Sequence, residues 1–249
     1  MTDTPLPFSL HIIRDYLETY QPPDGDFDPD GDWERRYVMW VALTAPRKSW
    51  NAGTLDMGSR ALPDGDVELR ISQTSKIRGG ARIGNSRALI THSPGVSLGK
   101  PWKWEVESDI TEASGQVVPL SRISRKGGFA SGKLRWEAAK SRGIAVSEQS
   151  ISNWGLFDFV QRLPFDTKPL HFDLIEDLES HKPRHRLFPG QSLELTLGGR
   201  LVRLHSFEHV GSGILPYTYW LDNQHRLLFA IGGLRTFLHA STISKTQKP

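Results

Sequence analysis

The chain has 249 residues, of which 37% are hydrophobic and 24% are charged, with a formal net charge of +3. This composition is typical of a globular protein and excludes an intrinsically disordered chain. It contains no cysteine, which excludes disulfides, thiolate metal sites and a cysteine nucleophile. The mild positive charge permits an anionic partner without requiring one.

The beginning of the chain predicts a short helix. Leu10, Ile13, Leu17 and Tyr20 recur at spacings of three and four, although residues 8–12 also fit the start of a strand. No basic stretch followed by an apolar one opens the sequence, and no run of about twenty apolar residues follows. The default expectation is a cytoplasmic protein without a transmembrane segment, while association with the cell envelope stays open.

An acidic stretch comes next and resembles the first half of an EF-hand loop. Its carboxylates alternate along the chain and a glycine occupies the sixth position, where a tight turn lets several carboxylates converge on one hard cation. The twelfth position is Tyr37, not the glutamate that closes such a site. Two interpretations remain open, a solvated acidic linker and a Ca²⁺ site formed by Asp26, Asp28, Asp30 and Asp32.

From Trp33 onward most of the sequence has the period-two pattern of half-buried antiparallel strands. Apolar residues alternate with polar ones over 67–72, 102–107 and 192–197. Residues 37–43 are apolar on both faces, which predicts a central strand that is covered on both sides. The sequence therefore predicts a mainly β protein with a curved antiparallel sheet.

Turn-forming residues separate these runs and predict successive hairpins. They lie at Pro63–Asp66, Ser114–Gly115, Gly127–Gly128, Ser141–Gly143 and Gly198–Gly199.

One helix is predicted in the middle of the chain, at residues 153–163. Ser152 and Asn153 are suitable cap residues, apolar residues recur at spacings of three and four, and Pro164 ends the pattern. The segments on either side are faintly alike, with Trp102-Lys-Trp104 matching Tyr217-Thr-Tyr219. Both a duplicated sheet and an undivided one stay open.

The expected organisation has three parts. Residues 1–32 form an N-terminal segment with the acidic loop, and residues 241–249 form a flexible tail. Residues 33–240 form a single β-rich domain, with candidate halves at 33–150 and 165–240 joined by the helix.

Three segments resemble uncharacterised families of antiparallel β proteins, many of them from bacterial envelopes. They are residues 102–122, the helix 153–164 and the motif G-x-x-P-x-x-x-W-x-D-x-x-x-R-L at 213–227. The resemblance covers residues 33–240 and implies a half-barrel like that of lipoprotein carriers, a curved sheet around a hydrophobic interior. It brings no catalytic residues with it, and this chain lacks the evident signal peptide of the envelope members.

Other motifs match the patterns of functional sites only in part. Gly127 to Lys133 has the G-x-x-x-x-G-K outline of a phosphate loop, but Leu134 stands where Ser or Thr would bind magnesium, so a glycine-rich hairpin connection fits better. His181 and His185 have helical metal-site spacing, but Pro183 lies between them, which favours a solvated loop. No nucleophile elbow is present, and the scattered Ser, His and Asp residues do not argue for an enzyme.

A basic stretch follows residue 121, with Glu137 as its one acid. It suits anionic partners, yet such charges more often keep edge strands soluble, and no nucleic-acid module accompanies them. The stretch consists of Arg122, Arg125, Lys126, Lys133, Arg135, Lys140 and Arg142.

Aromatic side chains on the strands are the candidate ligand-binding residues. Their rings suit an apolar pocket, and they suit plain core packing equally well. Alternation places Tyr217 and Tyr219 on the opposite face from Trp220, so one cavity cannot receive all three. The candidates are Trp102, Trp104, Trp136, Tyr217, Tyr219 and Trp220.

The sequence thus favours a non-enzymatic binding protein for a hydrophobic or amphipathic, lipid-like molecule. An interaction module that docks a protein or polyanion through its sheet or basic hairpins is the alternative. A carbohydrate-active enzyme is the third hypothesis, which clustered carboxylates in a cleft would support. Ligand identity and oligomeric state do not follow from the sequence.

Overall fold

The computed structural model describes residues 6–41, 50–93, 98, 100–137 and 143–240. Residues 42–43 of the expected central strand, Lys140 and Arg142 of the basic stretch, and the expected tail lie outside these ranges.

The described residues form fifteen strands of one sheet and three short helices. The helices are α1 (Phe8–Ile12), α2 (Arg14–Thr19) and α3 (Asn153–Phe159), with 3₁₀ turns at Arg78–Gly80 and Val160–Arg162. The strands are β1 (Trp33–Val41), β2 (Trp50–Ala61), β3 (Val67–Ile77), β4 (Arg82–His92), β5 (Trp102–Glu112), β6 (Ile123–Ala130), β7 (Lys133–Trp136), β8 (Ile144–Ala145), β9 (Ser150–Ser152), β10 (Leu170–Glu176), β11 (Ser180–Leu197), β12 (Arg200–Val210), β13 (Tyr217–Asp222), β14 (Leu227–Gly232) and β15 (Thr236–His239).

The strand order is β8-β7-β6-β5-β4-β3-β2-β1-β15-β14-β13-β12-β11-β10-β9. Every neighbouring pair is antiparallel except β9 and β10. The first strand pairs with the last, since Tyr37 lies opposite His239, so the two ends of the described sheet are the middle of the chain. The sheet is curved and unclosed, which confirms the predicted mainly β half-barrel.

The sheet buries its two faces in two different cores. The inner core contains the predicted apolar positions of β3 and β5, including Leu69, Ile71, Trp104 and Val106. The outer core forms where α1 and α2 cover β11 to β15. This outer cover explains why β14 is buried along its whole length, because a strand that packs on both faces has no wet side.

Helix α3 lies inside the curve of the sheet. The Ser152 hydroxyl oxygen accepts the backbone N–H of Gly155 at 2.9 Å, as the sequence predicted for the cap. Trp154, Leu156 and Phe157 are buried in the inner core, so the helix fills much of the space that the sheet encloses.

Two expectations about turns and loops were wrong. Gly127–Gly128 lies within β6, and the hairpin turn comes later, at Ser131–Gly132. A Cβ atom on Gly127 would stand 2.1 Å from Cζ2 of Trp104, so the glycine leaves room for a neighbouring ring and does not form the turn.

The segment from His181 to His185 was expected to be a solvated loop but belongs to β11. The pairing of β10 with β11 shifts register between Phe172 and Leu174, and Arg184 has a φ of 63°. Such a bulge accommodates Pro183 within a strand, because the bulged position needs no ladder hydrogen bond. His185 then faces the interior, where it is fully buried.

Candidate ligand-binding site

One end of the half-barrel is closed by the N-terminal segment. The Arg226 guanidinium binds Asp222 at 2.6 Å and donates to the carbonyls of Asp24 at 3.2 Å and Gly25 at 3.0 Å. Arg162, which follows α3, pairs with Asp30. Residues 24–30 are therefore tied to both the sheet and the internal helix.

A cavity of about 560 Å³ opens at the other end, where α3 begins. This volume lies within the range of about 300–1,000 Å³ that is usual for small-molecule pockets. Its lining combines apolar and aromatic side chains with a few charged ones: Gln73, Asn153, Trp154, Leu156, Phe157, Leu174, Glu176, Asp177, Lys182, His209, Gly213, Ile214, Leu215, Tyr217, Tyr219, Leu234, Arg235 and Phe237.

The deep wall of the cavity is aromatic. The ring of Phe157 lies 5.9 Å from that of Tyr219 and 5.2 Å from that of Phe237, both edge-on. Helix α3 supplies the first ring, and β13 and β15 supply the others. These rings contact one another and form a continuous apolar wall, and the cavity lies beside them, between α3 and the last strands.

The mouth of the cavity is polar and charged. Lys182 Nζ binds Glu176 at 2.6 Å and donates to the Gly213 carbonyl at 2.8 Å. The amide of Asn153 donates to the Asp177 carboxylate at 3.0 Å. Arg235 is exposed and forms no ion pair with any carboxylate of the described residues. Polar groups are therefore gathered at the opening, above an apolar interior.

Two tyrosines, Tyr217 and Tyr219, lie between the polar mouth and the apolar interior of the cavity. Burial raises the pKa of Tyr217 to about 12, although the nearby Arg235 acts in the opposite direction. Burial raises the pKa of Tyr219 as well, and its ring is parallel to that of Tyr217 with centroids 6.1 Å apart. Both phenols stay neutral at physiological pH, and a neutral phenol can donate and accept hydrogen bonds.

A buried histidine pair adjoins Tyr219, with His209 itself in the lining of the cavity, and it was missed by the sequence analysis. Nδ1 of His185 and Nε2 of His209 are 2.8 Å apart, and Phe172 packs against both rings. Burial, reinforced by His185, lowers the pKa of His209 to about 3, so the pair is neutral. The sequence did contain a signal that His185 points inward. Residues two apart on a strand lie on the same face, and Leu187, two residues after His185, is apolar.

The predicted aromatic residues are divided among three places. Tyr217 and Tyr219 line the cavity, whereas Trp102 and Trp104 pack against each other at 4.9 Å elsewhere in the inner core. Trp136 lies beside Trp104 (6.4 Å between centroids), and its indole N–H donates to the Leu178 carbonyl at 3.1 Å.

Trp220 faces the outer core, as the alternation of β13 predicted. Its N–H donates to the hydroxyl of Ser9 in α1 at 3.1 Å. Of the predicted set, Tyr217 and Tyr219 line the interior cavity and the four tryptophans do not.

The four candidate calcium ligands do not converge. Asp28 accepts the backbone N–H of Asp30 at 2.9 Å, and Asp32 accepts that of Ala61 at 2.9 Å. Within the described ranges, no group of three or more histidine, aspartate or glutamate side chains is arranged to hold a metal ion. Calcium binding by Asp26, Asp28, Asp30 and Asp32 remains a prediction of the sequence alone.

A second depression, of about 670 Å³, lies on the outer face of β1 to β4. Two of its arginines are paired with carboxylates, Arg36 with Asp56 at 2.5 Å and Arg70 with Glu68, which lies outside the depression, at 2.8 Å. Most of its lining residues are charged or polar, and no aromatic cluster like that of Phe157, Tyr219 and Phe237 lies among them.

The fold and the cavity together define a β-barrel-like protein with an unclosed, mostly antiparallel sheet. Among solved structures, it is similar to a β-barrel-like protein of domain of unknown function DUF1849 from Brucella abortus. The TM-score is 0.55 at 7% sequence identity, over 83% of this chain and 95% of the other. This likeness confirms the predicted resemblance to uncharacterised bacterial β proteins at the level of the fold.

No protein-family model matches the chain, and the search of curated proteins found no similar sequence. Within the described residues, none of the helices has the length and apolar character needed to span a membrane.

Proposed function

We propose that the chain is a non-enzymatic binding protein that holds one amphipathic, lipid-like molecule in the interior cavity. The observation that carries the proposal is the polarity of the cavity, which is aromatic and aliphatic inside and charged at its mouth. A ligand with an apolar tail and a polar head matches both parts.

The tail would occupy the cavity beside the ring wall formed by Phe157, Tyr219 and Phe237. Each methylene removed from water there contributes about 0.8 kcal/mol. The head would remain at the mouth, within reach of the Tyr217 hydroxyl and the charges of Lys182 and Arg235. Binding would therefore need no opening of the sheet.

The protonation states near the cavity support binding more than catalysis. A general acid or base works best with a pKa near the working pH. The pKa of Tyr217 is about 12 and that of His209 is about 3, so both pKa values lie far from a neutral working pH. These groups are suited to donating and accepting hydrogen bonds with a bound molecule.

Binding of anilinonaphthalene sulfonate, an amphipathic dye, and its displacement by dodecanoic acid test the proposal in solution. Leu234 lines the cavity and is 66% exposed, so Leu234→Asp should fold normally and place a charge where the tail enters. We expect this variant to bind both probes about tenfold more weakly, since a charge is costly to bury beside an apolar ligand.

Leu201→Asp is the matched control, because Leu201 is 69% exposed and lies on β12 outside the cavity. It should bind the dye as the unaltered protein does. The proposal fails if dodecanoic acid does not displace the dye, or if the two leucine variants are weakened equally. Native mass spectrometry of gently purified protein provides a second check, in which a co-purifying amphiphile is expected.

A further inference from the structure

We propose that the open rim of the half-barrel docks on the surface of an anionic lipid bilayer. The rim is defined here as the three connections 113–122, 211–216 and 233–235. The inference concerns this outer surface and holds whether or not the cavity is occupied.

Exposed apolar side chains are concentrated at this rim. Leu120 is fully exposed, and Leu215 and Leu234 are about half or more exposed, at the tips of three separate connections. The turns at the opposite end have polar tips, such as Asp64–Gly65 and Gly198–Gly199. Among the described residues, the rim therefore presents three exposed leucines, whereas the opposite end presents one, Leu201 beside the Gly198–Gly199 turn. Exposed apolar groups that are concentrated in this way mark interaction surfaces.

The 113–122 connection is linked to the cavity mouth through the turn between β10 and β11. Arg125, near the start of β6, pairs with Glu179 in the turn between β10 and β11 at 2.6 Å. The adjacent residue Leu178 accepts the Trp136 indole N–H, and Asp177 of the same turn lines the cavity mouth. The base of the 113–122 connection thus stands beside the mouth, which Leu215 and Leu234 also line.

The turn that carries Leu120 is braced in an unfavourable conformation. Leu120 has a φ of 61°, in the left-handed region that a leucine rarely adopts. The Ser121 hydroxyl donates to the Val118 carbonyl at 2.8 Å and accepts the Ile110 N–H at 3.0 Å, which holds the turn in place. The turn therefore holds the apolar side chain of Leu120 exposed to water. Contact with an apolar partner would stabilise this arrangement.

The charges of the rim favour an anionic surface. Leu120 and Leu234 each lie beside an arginine, Arg122 and Arg235, and neither arginine pairs with a carboxylate among the described residues. Several of the surrounding acids are neutralised, since Glu112, Glu176 and Glu179 pair with Arg82, Lys182 and Arg125 at 3.0, 2.6 and 2.6 Å. Asp177 is hydrogen-bonded by Asn153 but has no cationic partner in this part of the structure.

Leucines that insert below the headgroups, with arginines level with the phosphates, form an interfacial anchor. An orientation of this kind would place the cavity mouth directly against the bilayer. A chemically matched partner is therefore a membrane surface that contains phosphatidylglycerol or another anionic lipid.

Vesicle flotation of the full chain tests the proposal. We expect binding to vesicles of phosphatidylcholine with phosphatidylglycerol, and weaker binding to phosphatidylcholine alone. Leu120→Asp should weaken binding about tenfold, and Arg122→Gln about fivefold, because each removes one part of the anchor. Leu201→Asp, at an exposed position away from the rim, should bind as the unaltered protein does.

Leu120 does not line the cavity, so Leu120→Asp should bind the amphipathic dye normally in the absence of vesicles. Loss of vesicle binding with retained dye binding supports the rim and leaves the cavity proposal untouched. Absence of vesicle binding by the unaltered protein overturns the inference, as does equal loss in the Leu120 and Leu201 variants. Retention on heparin through Arg122 without vesicle binding also overturns it, in favour of a polyanion.

Discussion

At the residue scale, the clearest constraint is the contact between an aromatic ring and a glycine in the neighbouring strand. Trp104 lies opposite Gly127, and Tyr217 lies opposite Gly232. A Cβ atom on Gly127 would stand 2.1 Å from the Trp104 ring, and one on Gly232 would stand 2.4 Å from the Tyr217 ring. Each ring therefore lies flat over a strand position that only glycine can occupy.

Gly127→Ala should destabilise the protein by about 1–3 kcal/mol, because the added methyl forces Trp104 to move within a packed core. Gly128→Ala is the matched control, since a Cβ atom there meets nothing closer than 3.4 Å. It should be neutral or stabilising by about 0.5 kcal/mol, because alanine is favoured over glycine within strands. Urea denaturation measures both, and an equal effect of the two substitutions would contradict the packing described.

Buried histidines give the molecule a defined dependence on pH. Burial lowers the pKa of His209 from 6.5 to about 3, and burial with the charges of Arg35 and Arg226 lowers that of His239 to about 4. Such a histidine takes up a proton more readily in the unfolded chain. Above the pKa that the histidine has in the unfolded chain, it is neutral in both states and does not oppose folding. As the pH falls from that pKa toward the lower pKa of the folded state, the protein loses stability.

When the pH is lowered from about 7.5 to about 5, each of these two histidines should reduce the free energy of unfolding by about 2 kcal/mol. His209→Gln should therefore lose less stability over this interval than the unaltered protein, whatever its stability at neutral pH. Thermal melts recorded across the interval give the comparison. Parallel pH profiles would show that His209 does not remain neutral in the folded state.

At the scale of elements, β13 to β15 connect the two cores. Their inward side chains, including Tyr219 and Phe237, belong to the inner core. Their outward side chains, including Trp220, Phe229 and Leu238, are covered by α1 and α2. These last strands of the chain are central strands of the sheet, because β15 pairs with β1.

Deletion of residues 213–249 should yield insoluble or unfolded protein. The deletion removes three central strands, and each large apolar side chain among them contributes about 1.5–3 kcal/mol through burial. Expression followed by a circular-dichroism melt tests this expectation. A soluble fragment that melts cooperatively at the original temperature would show that the remaining sheet is independent of these strands.

Individual elements were predictable where local chemistry determines them. Ser152 caps α3, and Trp102 and Trp104 alternate with polar residues along β5, as expected from the sequence. The segment around His185 was misread because Pro183 normally excludes a strand, and the bulge that admits it depends on pairing with β10. Position 127 was misread because the need for glycine there comes from Trp104, more than twenty residues away in the chain.

At the scale of the whole molecule, the curvature and sidedness of the sheet were predictable, whereas the order of its strands was not. Alternation shows that a strand has an apolar face, but it carries no information about which strand lies beside it. β1 pairs with β15, although the two strands lie near opposite ends of the sequence, and no local pattern indicates this pairing. The same limitation applies to the site, because Lys182, His209 and Arg235 meet only through that arrangement.

The central claim is that the space between α3 and the last strands receives the apolar part of an amphiphile. A crystal grown with terminally brominated dodecanoic acid tests it most directly, because the anomalous signal of bromine locates the end of the tail. We expect one bromine inside the cavity, in contact with Phe157, Tyr219 or Phe237. Bromine found only on the outer surface, or a cavity that stays empty under saturating ligand, would show that the cavity does not receive the tail.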